Sequence, residues 1–184
     1  FNLIRELLDE HANPVASRSE TPVGGGWKRV TGSDISRVTD VGTILIGAAV
    51  ATARSWVDTL LHVCNAVFLD PPAPDRDVRI GQRFMDKLGE TEPTVTERIS
   101  RFMASAEFLY INDLTNAMKH RELIDAKAVI ASSGSLIVVD AFEKDGRSWE
   151  ACTIAEIMDR CDSVFGELSS LLFSFPDLAT QTDD

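Results

Sequence analysis

Apolar residues set the layout of this chain. Val38, Val41, Leu45, Ala48, Thr52, Trp56, Thr59, Val63 and Val67 recur every three or four positions, the period of one helix face. A second row, Ile46, Val50, Val57, Leu61, Cys64 and Phe68, covers a neighbouring face. Only a narrow strip with Arg54, Asp58 and Asn65 stays polar. The pattern predicts one long helix, capped by Ser33 or Asp34 and running to about Leu69. A helix apolar over so much of its surface is central to a bundle or shared with a partner chain. The run Val41–Val57 is interrupted by Gly42, Thr43, Gly47, Thr52 and Arg54. It falls short of about 18 consecutive apolar residues and is read as a buried helix, with no membrane partner expected.

The same reading extends along the chain. Residues 1–12 predict a short helix with Leu3, Leu7 and Leu8 inward, and residues 13–33, with Pro14, Pro22 and Gly24-Gly25-Gly26, a mobile loop. The triple glycine follows no strand and precedes no Lys-Ser/Thr at P-loop spacing, so it reads as linker. Asp70-Pro71-Pro72-Ala73-Pro74 stops the long helix. A shorter helix follows, with Ile80, Phe84, Met85 and Leu88 inward and Gly89 as its C-cap. Thr94-Val95-Thr96-Glu97 reads as a capping box opening a helix over 94–124. Ala128–Ala131 and Leu136–Val139 predict strands turning at Ser132-Ser133-Gly134, and Lys144-Asp145-Gly146 turns into a strand near Trp149. Thr153-Ile154-Ala155-Glu156 is a second capping box. It opens a final helix with Ile157, Met158, Cys161, Val164, Phe165, Leu168, Leu171, Leu172 and Phe175 on one face, ended by Pro176.

The sum is a mainly α fold: a helical bundle of four to five helices with a small antiparallel β-sheet insertion before the last helix. Residues 1–33 form an N-terminal helix and loop, 34–176 the bundle with its insertion near 126–151, and 177–184 a flexible tail.

Charge narrows the function classes. The 184 residues carry a formal charge of −11. An acidic surface repels phosphate, which disfavours RNA as a partner and argues against a broad basic groove while leaving room for a local basic pocket. Three cysteines, Cys64, Cys152 and Cys161, show no CxxC spacing. They fit reduced thiols of a cytoplasmic protein better than a disulfide scaffold. The histidines His11, His62 and His120 fall on three segments, and Glu-x-x-His is absent. Asp58 and His62, four apart, read as a surface pair. No metal site and no cofactor is expected. No Gly-x-Ser-x-Gly elbow or basic-flanked cysteine marks a nucleophile.

One stretch interrupts an apolar face with polar groups: Asn112-Asp113-Leu114-Thr115-Asn116-Ala117-Met118-Lys119-His120-Arg121. Val95, Ile99, Phe102, Met103, Ala106, Leu109 and Tyr110 form a spiral whose continuation carries Asp113, Ala117, His120 and Ile124, with Asn116 at its edge. A polar group buried unpaired costs roughly 1–3 kcal/mol, so the stretch is a structural network or a site. As a site, His120 is the general acid/base, its unperturbed pKa of about 6.5 making both protonation states accessible. Lys119 and Arg121 complete the candidate catalytic set by supplying charge to a phosphate. Asn116, one turn before His120, and Asp113, two turns before it, are the candidate substrate-binding residues. Two turns are about 10 Å, so Asp113 and His120 form no dyad within one helix. As structure, His120 is buried and hydrogen-bonded across the bundle, and Lys119 is solvated.

Thr115-Asn116-Ala117-Met118-Lys119-His120 resembles the signature of HEPN domains: Arg, a polar residue that is often Asn, three residues, then His. Asn116 and His120 match, and Thr115 stands in place of the Arg. The resemblance implies a small helical bundle that dimerises through this region. In active members the Arg and His cleave RNA without a metal; inactive members serve as binding or dimerisation modules, often in toxin–antitoxin or defence settings. With Thr115 neutral, the expectation is a homodimeric binding or regulatory module with a polar pocket around Asn116 and His120, open to a protein partner. The alternatives are a metal-independent endoribonuclease using His120, and a small-molecule sensor with a bundle cavity lined by aromatics such as Trp56 and Phe102.

Overall fold

The computed structural model describes residues 19–22, 28–31, 33–119, 126–131 and 134–179. In chain order these form β1 (Ser19–Pro22), β2 (Lys28–Thr31), α1 (Ser33–Phe68), α2 (Gln82–Thr91), α3 (Pro93–Met103) and α4 (Ala106–Lys119). Then come β3 (Ala126–Ala131), β4 (Gly134–Val139), β5 (Phe142–Lys144), β6 (Arg147–Trp149), β7 (Cys152–Thr153) and α5 (Ile154–Ala179). The architecture is mainly helical, with small antiparallel sheets before the last helix. The chain divides into two compact units, Phe1–Ala49 with Asn116–Met158, and Val50–Thr115 with Asp159–Asp184.

The first unit holds the strands. β3 and β4 pair antiparallel from Ala126↔Val139 to Ala131↔Gly134. β7 adds to the other edge of β4 through Val138↔Thr153 and Val139↔Cys152. β5 and β6 form a separate hairpin. Its two turn residues, Asp145 (φ 49°) and Gly146 (φ 76°), both take positive φ, the conformation whose twist suits a two-residue hairpin loop and for which Asp-Gly is favoured. Gly42 of α1 faces β4 closely: a Cβ there would stand 2.6 Å from Ile137 Cδ1. A glycine at this point lets Ile137 fill the space. Ile46, Ala49, Ala117, Val139, Cys152, Ile154, Ile157 and Met158 are also buried.

The second unit is helical. Val50, Val57, Leu60, Leu61 and Cys64 of α1 are buried, as are Phe84, Met85 and Leu88 of α2 and Val95, Ile99 and Phe102 of α3. Aromatic pairs tie helices together edge to face: Phe68 and Phe175 have ring centroids 5.3 Å apart, a favoured arrangement. Arg160 lies 4.6 Å above the ring of buried Tyr110, a cation–π contact. Asn65, expected on the polar strip, is buried instead. Its Nδ2 donates to the Ala73 carbonyl at 2.9 Å and its Oδ1 accepts the Ala73 N–H at 2.7 Å. Both partners lie eight residues apart, across the proline-rich stop.

Several expectations are corrected. The stretch read as loop contains the β1–β2 hairpin, registered from Ser19↔Thr31 to Pro22↔Lys28; Pro22 sits at a strand end, where a missing N–H is tolerated. The predicted helix over 94–124 is two helices, broken at Ala104-Ser105. Ser105 Oγ accepts the Phe108 N–H at 3.3 Å, an N-terminal cap that restarts the chain as α4. The Thr94 box is not made: α3 begins at Pro93, behind Glu92, with no side-chain capping bond. Proline is pre-set for the first helical position and moves the start upstream. Gly89 lies inside α2, which is capped at Glu92. α5 passes Pro176 and ends at Ala179. Residues 177–179, expected in the flexible tail, are thus helical. The predicted helix 1–12, His11 and residues 180–184 lie outside the described residues.

The Thr153 box is made in full. Glu156 N–H donates to Thr153 Oγ1 at 3.2 Å, and Thr153 N–H donates to Glu156 Oε2 at 2.7 Å. Both exposed helix N–H groups are thereby satisfied.

Candidate functional site

Of the predicted site residues, Asp113, Asn116 and Lys119 lie on α4. Asp113 is fully buried, and partnered there. Asn116 is half-buried and Lys119 is exposed. His120 and Arg121 lie outside the described residues. The described part of the constellation therefore consists of one core carboxyl, one half-buried amide and one solvated ammonium on a single helix.

Thr115, standing where the HEPN signature has its Arg, is turned into the core. It is buried, and its hydroxyl donates to the Ile111 carbonyl at 2.7 Å, with the Val50 carbonyl of α1 3.3 Å from the same oxygen. Bonding back to the residue four earlier is the usual way a mid-helix threonine satisfies its hydroxyl. The position is used for packing α4, and its neutral side chain carries no charge to any site.

A polar cluster that the sequence pattern did not reveal lies at the start of the same motif. Arg54 Nε donates to Asn112 Oδ1 at 3.0 Å, and Arg54 Nη1 pairs with Asp58 Oδ1 at 2.6 Å. The Arg54 side chain is only 17% exposed, that of Asp58 50%. The signal was present: Arg54 and Asp58, four apart, are the only charged residues between Asp40 and the end of α1. The link from Arg54 to Asn112 is tertiary and has no sequence signature. Asp58 is thereby committed to Arg54, while His62 is exposed. Among the described residues no group of three His, Cys, Asp or Glu converges as a metal site would require.

The two apolar rows of α1 have different fates. The row through Val50, Val57, Leu61 and Cys64 is buried. The row expected as the main seam is largely exposed: Ala48, Thr52 and Thr59 are exposed, with Trp56 at 41% and Val67 at 57%, and Ile44 beside it at 69%. A cavity of about 330 Å³ opens on this face, its described lining being Ala51, Thr52, Ser55, Trp56 and Thr59. Trp56 meets Phe165 of α5 edge to face at 5.3 Å. Phe102, the other aromatic expected in a bundle cavity, packs on Phe108 at 5.1 Å and is not among the described lining. By length and composition Asp40–Phe68 also meets the requirements of a membrane span.

Neither Cys64 nor Cys161 offers a reactive thiol. All three cysteines are unpaired and buried. Burial pushes the thiols of Cys64 and Cys161 up to about 12, the charge of Asp162 adding to the effect at Cys161. A thiol so raised carries almost no thiolate at neutral pH.

No family model, curated protein or solved structure matches this chain.

Proposed function

We propose that this protein is a HEPN-like binding or regulatory module without catalytic activity. The observation that carries the reading is Thr115, a buried neutral side chain bonded to backbone at the position of the motif's cation. Metal-independent cleavage of RNA needs a cation placed against the charge that develops on phosphate, and losing one such donor commonly costs 10²–10³ in rate. A second support is Asp113, buried on the face that a site would have to open. The overall charge of −11 further opposes RNA binding.

We read α1 as a core helix and not as a membrane span. Its Arg54–Asp58 pair is held to Asn112 of α4, which gives both charges protein partners midway along the helix. The three unpaired cysteines suit a reducing compartment such as the cytoplasm.

The test is incubation of a mixed RNA pool with wild type and His120→Ala in EDTA, both verified as folded. The expected result is no cleavage by either. Cleavage by the wild type that His120→Ala abolishes would overturn the reading in favour of a metal-independent ribonuclease.

A further inference from the structure

From the cavity beside Trp56 we infer that this protein binds a small organic cation, a primary ammonium carried on an apolar body. The cavity holds about 330 Å³ and is bordered by Ala51, Thr52, Ser55, Trp56 and Thr59. Its size falls at the lower end of the roughly 300–1,000 Å³ of small-molecule sites. These residues and Phe165 all belong to the second unit of the chain. None of them is part of the motif on α4, so the inference goes beyond the proposed function and does not depend on it.

The hydroxyls decide which polar groups the cavity can receive. Ser55 Oγ donates to the Ala51 carbonyl at 2.9 Å, and Thr59 Oγ1 donates to the Ser55 carbonyl at 3.0 Å. A hydroxyl has one proton and two lone pairs. With the proton committed to the residue four earlier, each oxygen turns only lone pairs outward. Both residues are exposed, so those lone pairs are open to a ligand. Side chains four apart on a helix stand about 5–6 Å from each other at Cβ. One nitrogen can reach both oxygens across that gap at ordinary hydrogen-bond lengths of about 2.8–3.0 Å. An ammonium has three N–H donors on one centre and no acceptor, which is the complement of this pair. A carboxylate or phosphate would set lone pair against lone pair. A hydrocarbon would strip water from both oxygens and return no hydrogen bond.

The ring adds a second preference for positive charge. Trp56 is 41% exposed at the edge of the cavity, and indole is the aromatic that attracts cations best. Phe165 stands at 86° to it with ring centroids 5.3 Å apart and braces it from α5. The two rings give the apolar body of a ligand a wall to lie against, while its cationic end meets the hydroxyls. The field of the whole chain works in the same direction, since a formal charge of −11 draws cations to the surface. Arg54 is the only Lys or Arg between Asp40 and Phe68. Asp58 pairs with it at 2.6 Å and Asn112 holds its Nε, so its charge is matched and does not oppose entry.

The experiment is titration of the full ¹⁵N-labelled chain with 2-phenylethylammonium, 2-phenylethanol and 3-phenylpropionate, followed at the indole N–H signal of Trp56. Loss of one indole signal in Trp56→Phe assigns it. The three probes share a phenyl ring and differ in charge. The expected result is a saturable shift with the ammonium, its dissociation constant at least about tenfold below that of either other probe. Thr59→Val and Ser55→Ala each remove one acceptor at an exposed position. Each should weaken the ammonium at least about fivefold, with thermal melts matching the wild type. No shift of the Trp56 signal up to about 50 mM ammonium would overturn the proposal. Equal binding of the three probes, or tighter binding of the alcohol or the carboxylate, would overturn it too. So would an ammonium affinity that both substitutions leave unchanged.

Discussion

The two faces of α1 are nearly equal in apolar content yet opposite in fate. Leu61 and Val57 are wholly buried, whereas Val67, Ile44 and Trp56 stand well out of the protein. Periodicity counts apolar residues, but burial depends on where α3, α4 and α5 find their own partners, which periodicity does not contain. The contrast teaches that a doubly apolar helix poses two separate questions: which face the fold uses, and what the remaining face is for. In this chain the second face is the one with Trp56 and the cavity.

The contrast can be broken most directly by truncating each face in turn. Leu61→Ala removes a fully buried side chain and should cost about 3 kcal/mol in urea unfolding. Val67→Ala, 57% exposed, should stay within about 0.5 kcal/mol. Equal losses would mean that the exposed face is covered in the monomer. Asn65→Ala sharpens the comparison from the polar side. It leaves the buried Ala73 N–H and carbonyl without their partners and should cost about 2 kcal/mol, a core-like penalty at a position the pattern places on a polar strip.

The two capping boxes repeat the same contrast on a smaller scale. Thr153→Ala should lower stability by about 1 kcal/mol, while Thr94→Ala should change it by only a few tenths; the first loses the bonds to Glu156, and the second loses none. The smallest effect concerns Glu167. Partial burial, and then the charge of Glu107, hold its carboxyl above the usual carboxylate range. The folded state then binds the proton more tightly than the unfolded one, so stability falls as pH rises from the unfolded pKa through the folded one. Glu167→Gln should therefore raise the unfolding midpoint slightly at pH 7, the effect being small because the side chain is exposed. At about pH 3, where the carboxyl is protonated in both states, the gain should vanish.

Much of the fold was legible because it rests on local chemistry. The span of α1 follows from its apolar period and the proline stop. Asp145-Gly146 marks its turn by the residues that tolerate positive φ, and the Thr153 box announces α5. The misreadings came where one local signal outranked another. Pro93 set the start of α3 ahead of the Thr94 box. Ser105 broke a pattern that remained apolar on both sides of the break. The candidate site was less legible. Its motif placed Asp113 and Asn116 on one helix, yet nothing in the spacing says that Thr115 bonds to backbone or that Arg54 reaches Asn112. Those are tertiary contacts, fixed by packing between residues far apart in sequence.

The double hydrogen bond between Asn65 and Ala73 has a consequence for how this chain breathes. Loop amides ordinarily trade their hydrogens with water quickly, because opening them disturbs little else. The Ala73 amide sits among prolines but is clamped from inside by a side chain of α1. Its isotope exchange should therefore be slow, on the clock of the helical unit that holds it. That single amide would report when α1 lets go of the segment that follows it.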